Sequence, residues 1–307
     1  MYKGAQSREM LAPIVIAIIL LLSGTSVYAQ AQAAPLFPKH RRGIYTNRDN
    51  VEVIDATPQS PPLKTDDPGV PDKGEYEINF FTDADLSKNA RSINLLFVDA
   101  NYGVVPRLAG HELPTQVKFE FPITARKEPG NALALGIGAA IFGLKFNFYN
   151  DEQRGVRVSV YPQFEFATAA GIRRDLADPG QTVVVPLLVS KELKYLTLVA
   201  NGLVATPMHD PEREVTSEFG LGFGRAFTRK DAVMTEIRYE STLDFKHDRL
   251  VFLNVGLIHG VRNVPVYARL GHSLFSDDGM AHSYIAVGIK AMIQPGKTRV
   301  RPGKNGA

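Results

Sequence analysis

Apolar and polar residues alternate one by one along the last third of the chain, roughly 232–293. In 232–244 the odd positions are Val233, Thr235, Ile237, Tyr239 and Leu243, and the even ones include Glu236, Arg238, Glu240 and Asp244. In 280–293 Ile285, Val287, Ile289 and Ile293 stand on one parity, with Tyr284, Ala286, Gly288 and Lys290 on the other. Strand side chains point to opposite faces in turn, so each segment shows one apolar wall and one wall of charges, glycines and hydroxyls. A soluble sandwich shows the same alternation. The pattern therefore predicts strands and leaves their surroundings open.

The rhythm continues upstream. Strands are expected at 75–82, 91–100, 114–124, 132–149, 154–167, 181–190, 193–205, 214–227, 232–244, 248–260, 264–275 and 280–293. Most are longer than the 5–6 residues usual in globular proteins and fit the ~9–11 of a tilted membrane strand. The faces point the same way. Val117, Phe119, Phe121 and Ile123 oppose Gln116, Lys118, Glu120 and Thr124, and Phe219, Leu221 and Phe223 oppose Glu218, Gly220, Gly222 and Gly224. Phe-rich faces suit acyl chains, and small residues with charges of both signs suit a crowded lumen. Strand 181–190 fits poorly, with Val183, Val185 and Leu187 against Val184 and Leu188. With both termini taken as periplasmic, the connections alternate between longer external loops and tight periplasmic turns, apart from 101–113. The expected fold is all-β, an antiparallel transmembrane β-barrel of about 12 strands over 75–293.

The N-terminus agrees with export. Lys3 and Arg8 precede an apolar run from Leu11 to Leu22, followed by Val27-Tyr28-Ala29 and Ala31-Gln32-Ala33. This is the layout of a signal peptide, 1–33, and the run is short of the ~20 residues of a spanning helix. The chain has no Cys, so an exported product gains nothing from disulfides. The stretch 34–74 has seven prolines and no period. It is expected as an extended periplasmic segment with one short strand near 51–55; tucking into the barrel is equally open. The formal charge of +3 is dispersed, apart from a basic tail, 294–307, with Lys297, Arg299, Arg301 and Lys304. No basic-aromatic face suggests nucleic acid.

At AAIFGLKFNFYN (139–150) and GHSLFSDDGMAHSYIAVGIK (271–290) the chain resembles bacterial outer-membrane proteins of the phenol-degradation meta-pathway family. The resemblance spans roughly 75–293 in strand rhythm and glycine-aromatic motifs. It implies a transporter-like barrel in the outer membrane, with lipid, the barrel-assembly machinery and a small hydrophobic or aromatic solute as partners. Barrels of this kind end on an aromatic residue that the assembly machinery reads. Here Ala291-Met292-Ile293 and the tail stand in its place.

Alternation assigns Glu77, Lys118, Glu120, Lys145, Arg157, Glu165, Glu236, Arg238, Glu240, Arg269 and Lys290 to one interior. Two arrangements are open: pairing that plugs a narrow barrel, or a ladder that selects polar or anionic solutes. The near balance of signs favours the first, with Arg238 between Glu236 and Glu240. Gly220-x-Gly222-x-Gly224 mimics a phosphate loop but sits inside a strand with no helix after it, so glycines against a crowded lumen are expected. His272, Asp277, Asp278 and His282 surround a turn, yet alternation parts the two histidines, and no metal or cofactor is expected. No G-x-S-x-G elbow or His-Glu-x-x-His occurs, so nothing points to an enzyme. Three functions remain: a channel-like outer-membrane barrel, a non-transporting barrel, and a soluble exported ligand-binding barrel.

Overall fold

The computed structural model describes residues 45–48, 51–87, 91–193, 196–208, 210, 212–261 and 264–294. The expected signal peptide and all of the basic tail beyond Gln294 lie outside the described residues. A short hairpin comes first, β1 (Tyr45–Arg48) paired with β2 (Val51–Ile54). The wall then begins with β3 (Tyr76–Leu86), β4 (Arg91–Val104) and β7 (Thr115–Lys127), with a two-residue hairpin, β5 (Arg107–Leu108) and β6 (His111–Glu112), between the last two. It continues through β8 (Ala134–Ile137) with β9 (Ala139–Asp151), and β10 (Val156–Val160) with β11 (Gln163–Ala167). After helix α1 (Ala169–Arg173) come β12 (Gln181–Glu192), β13 (Thr197–Met208), β14 (Thr216–Ala226), β15 (Asp231–Thr242), β16 (Leu250–Val261), β17 (Val264–Ser276) and β18 (Ser283–Ile293).

Counted with β8–β9 and β10–β11 as one wall strand each, the wall has twelve strands, every neighbour antiparallel. Strand β18 pairs with β3 from Ser283↔Leu86 to Ile293↔Tyr76, and this closes the sheet. All twelve expected strands are present, with ends shifted by a few residues. The two broken strands have a common cause, a proline without an N–H for the ladder. Pro162 lies between β10 and β11, and Pro122 of β7, which accepts from the Gly138 N–H, lies opposite the break between β8 and β9.

The faces sort as alternation requires. Leu187, Leu221, Phe223, Ile237, Leu253 and Val287 are exposed on the outside, whereas Lys118, Lys145, Glu236, Arg238, Arg269 and Lys290 are buried within. A soluble ligand-binding barrel is the inverse, apolar inside and polar outside. The exterior here is suited to lipid, and the soluble reading falls. Strand β12 keeps its two apolar faces: Pro186 and Leu188 turn into the lumen and are buried, while Val185 and Leu187 face out.

One end of the barrel carries tight turns such as 227–230, and the other carries the longer connections, including 168–180 and 209–215. Segment 168–180 folds onto the rim. Gly171 lies against the Ile137 carbonyl, and buried Leu176 sits over Gly136 and Gly138, where a Cβ would meet it.

If Phe223 faces lipid, Phe223→Arg should destabilise the barrel by about 2–4 kcal/mol near the midplane. Urea titration of refolding into bilayers measures this. Unchanged stability would place Phe223 away from the acyl chains.

Candidate functional site

From 54 to 75 the proline-rich stretch lies inside the barrel, and not along the outside as a linker. It enters at the tight-turn end, where the Ile54 N–H donates to the Arg229 carbonyl. It leaves at the same end, where Gly74 N–H donates to the Gly103 carbonyl and Gly103 N–H to the Glu75 carbonyl. Between these points it makes a re-entrant loop with its tip around 60–66, and cis peptides at Ser60–Pro61 and Pro61–Pro62. Pro58, Pro61, Pro62, Leu63, Thr65 and Pro68 are buried by the wall.

A backbone that crosses a lumen without a partner strand must find hydrogen bonds elsewhere. The wall side chains supply them. The Glu236 carboxylate, with no exposure, accepts from Lys64 N (3.0 Å), Thr65 N (2.6 Å) and Asn254 Nδ2 (2.7 Å). Lys145 Nζ donates to Asp66 Oδ1 (2.9 Å) and to the Asp67 carbonyl (2.8 Å). Asn147 and Ser159 both donate to the Pro68 carbonyl. Lys290 Nζ bridges Gln59 Oε1 (2.7 Å) and Glu77 Oε1 (2.8 Å). An apolar cluster adds to this, joining Ile54, Ala56 and Leu63 of the segment to Ala232, Met234, Ile258 and Tyr267 of the wall.

The glycines of the inner wall are where the segment passes. A Cβ on Gly224 would come within 1.8 Å of the Ala56 carbonyl oxygen, and one on Gly103 within 2.2 Å of the Asp72 carbonyl oxygen. Gly222 faces Pro58, Gly220 faces Thr65, and Gly256 faces Pro62 and Leu63. The lumen is crowded, as the glycine run implies, and what crowds it is the protein's own N-terminal segment.

The eleven alternation-assigned charges are all buried or half-buried. They divide into three groups. Glu236, Lys145 and Lys290, the last with Glu77, hold the segment. Lys118 pairs with Glu120 and lies 3.9 Å from Asp99, and Arg238 pairs with Glu240 (2.7 Å) and Glu218 (3.5 Å) and stacks on Phe252. Glu165 and Arg269 line the open part of the lumen, and Arg157 sits half-buried near Glu192 at the tight-turn end. Glu236 is therefore not the direct partner of Arg238, contrary to the i, i+2 pairing expected from sequence.

Sequence reasoning passed over several polar residues of the interior. Asp99 accepts from Asn79 (3.0 Å) and Asn101 (2.9 Å), and Gln116 donates to Asn101 (2.6 Å). Tyr161, fully buried, lies under both Lys118 and Lys145 and fills the space left by Gly143. Asp99 stands opposite Glu120 in the β4–β7 ladder, a register that neither strand shows by itself. At the turn near β18, Asp277 is engaged by Arg249 (2.9 Å), which holds its carboxyl below the usual range, and His272 contacts Ser283. Among the described residues no group of His, Cys, Asp and Glu is placed to hold a metal.

The re-entrant loop divides the lumen. On the long-loop side is a vestibule of about 520 Å³, floored by Ser60, Pro61, Pro62, Leu63 and Lys64. On the other side is a cavity of about 60 Å³ around Asp55, Gln59, Asp67 and Lys290.

No family model matches the chain, and no curated protein matches it. Among solved structures it is similar to the COG4313 outer membrane channel from Pseudomonas putida F1, with a TM-score of 0.58 at 10% identity over 73% of this chain and 97% of that one. Weaker likenesses are to the CymD monoaromatic hydrocarbon channel (TM-score 0.42, 9% identity, 73% and 89% covered) and the KdgM porin (0.41, 9%, 69% and 97%). At these identities the likeness shows the fold, a barrel of the outer-membrane type, and the two weaker ones add nothing to it.

Gly224→Ala should push the Ala56–Pro58 backbone off the wall, since a carbonyl at 1.8 Å has no room to give. Trypsin should then cut after Lys64 in the detergent-folded barrel, while heat-modifiable migration on gels stays as in wild type. An unchanged tryptic pattern would mean that the segment does not pack on β14.

Proposed function

We propose that the protein is an outer-membrane channel whose lumen is closed at rest by its own residues 54–75, and not an enzyme. The observation that carries this is the vestibule of about 520 Å³ ending on the re-entrant loop. A barrel with a purely structural role needs no open half-lumen lined by charges. The closing element is also of a detachable kind, held by side-chain hydrogen bonds and apolar contacts and not by a strand ladder. Small solutes enter from the long-loop side, and the apolar strip of Val184, Pro186, Leu188 and Leu203 on one wall suits a compact hydrophobic or aromatic body. Lipid and the barrel-assembly machinery are the remaining partners on this reading.

Single-channel recording in planar bilayers tests it. Wild type should show low conductance with brief openings. Glu236→Gln, which weakens the hold on the Lys64 and Thr65 amides, should raise conductance or open time several-fold. Arg238→Ala should do likewise by leaving Glu218 and Glu240 to repel each other. No current in wild type, in both variants, and in a chain beginning at Gly74 would favour the non-transporting barrel. A large, steady wild-type conductance untouched by either substitution would sink the closed-lumen part.

A further inference from the structure

We infer that the vestibule floor is a binding site for a small monocarboxylate carrying a compact apolar body, with Arg269 and Lys64 as its anion-binding pair. The inference deepens the channel reading and rests on it only for how the ligand arrives.

The first ground is an arginine with donors to spare. The Arg269 side chain is only 3% exposed, yet its nearest acid, Asp83 Oδ2, stands 3.9 Å away, beyond hydrogen-bond range. Its Nε is buried without a partner, and among the described residues the guanidinium makes no hydrogen bond, resting only 5.7 Å over the Tyr284 ring. A guanidinium has five N–H donors, and leaving them unmet in a buried place is costly. Lys64 is the second cation. Glu236 fixes its backbone at the loop tip, and its exposed side chain lines the vestibule, in the field of Arg269 and Arg238 and of the Asp83 and Glu218 carboxylates. No ion pair or hydrogen bond to its ammonium occurs among the described residues.

The second ground is that the neighbouring acids are engaged. Glu236 serves the loop amides, Glu218 and Glu240 hold Arg238, Glu120 holds Lys118, and Asp66 holds Lys145. Asp83 is at arm's length, and Glu165 and Asp248 line the cavity from β11 and from the 243–249 loop on the mouth side. These three make a multiply charged anion such as phosphate a poor fit and a single carboxylate a good one.

The third ground is the opposite wall. Strand β12 lies five places from β17 in the ring of twelve, nearly across the lumen, and it shows the vestibule Val184, Pro186 and Leu188. Val184 is half-buried there, with Pro186 and Leu188 buried beside it, so the edge of a polar lumen is apolar along this one strand. It matches a ligand whose charged end meets a guanidinium fork and whose other end is desolvated.

The test is isothermal titration calorimetry on the full chain folded in detergent, with benzoate, benzamide, acetate and inorganic phosphate as probes. Benzoate should bind saturably, with the other three each at least about tenfold weaker. Lys64→Gln and Arg269→Gln should each lower benzoate affinity by about tenfold. Should Arg269→Gln fail to fold, Lys64→Gln still decides, since its side chain is exposed. Absence of benzoate binding, equal binding of benzamide, phosphate as tight as benzoate, or an unchanged affinity in Lys64→Gln would each overturn the site. A barrel that binds benzoate but passes no current in any variant keeps the site and loses the channel. One that conducts and gives no benzoate heat does the reverse.

Discussion

Everything inside this barrel depends on how a length of chain is held there without a partner strand. The centre of that solution is the Glu236 carboxylate. It has no contact with solvent and accepts two backbone N–H bonds from the loop tip and a third bond from Asn254. A buried carboxylate is expensive to desolvate, and donors in that number are what make it tolerable. The dependence runs both ways. Without Glu236 the Lys64 and Thr65 amides are orphaned, and without the loop the carboxylate is.

The composition of the segment fits the same constraint. Five of its residues are proline, at 58, 61, 62, 68 and 71, and each removes a donor that would otherwise need a partner. The carbonyls that remain are met by long or amide side chains from the wall, Lys145 and Asn147 above all. The wall in turn gives up side chains where the segment runs closest, at Gly103, Gly224 and Gly256. Prolines on the loop and glycines on the wall are two halves of one fit.

This explains what was legible in the sequence. Strand number, closure and the two faces follow from a period of two, because lipid outside and water or charge inside act on every wall residue alike. The β12 anomaly was visible too, as two apolar faces in one strand, although its meaning needed the vestibule. The occupant of the lumen was not legible. Proline-rich chain has no period, and Gly220-x-Gly222-x-Gly224 declares room without saying for what. Pairings went wrong where the partner was remote. Arg238 found Glu240 two residues away, as alternation allows, but Glu236 bonds to Thr65, 171 positions earlier. Asp99 escaped notice because its role depends on the β4–β7 register, which no single strand reveals.

The uneven division of the lumen bears on how such a barrel opens. Both ends of the re-entrant loop are fastened at the tight-turn end, through Ile54 to Arg229 and through Gly74 and Glu75 to Gly103. The apolar cluster around Ala56 and Met234 lies on the entering leg, and the Lys145 contacts to Asp66 and Asp67 lie on the returning one. Only the tip separates the vestibule from the small space below, and the tip is held by the Glu236 carboxylate and by the packing of Leu63. A path through the barrel therefore does not require the segment to leave. It requires Pro61 to Thr65 to shift, which exchanges the Lys64 and Thr65 amide bonds to one carboxylate for bonds to vestibule water and draws Leu63 out of the apolar cluster. Bonds exchanged in this way differ by about 0.5–1.5 kcal/mol each, or up to ~3 where a charge takes part. Together with about 1.5–3 kcal/mol for exposing Leu63, this keeps the shifted tip a minor state, and brief opening from such a state is what a channel closed at rest requires.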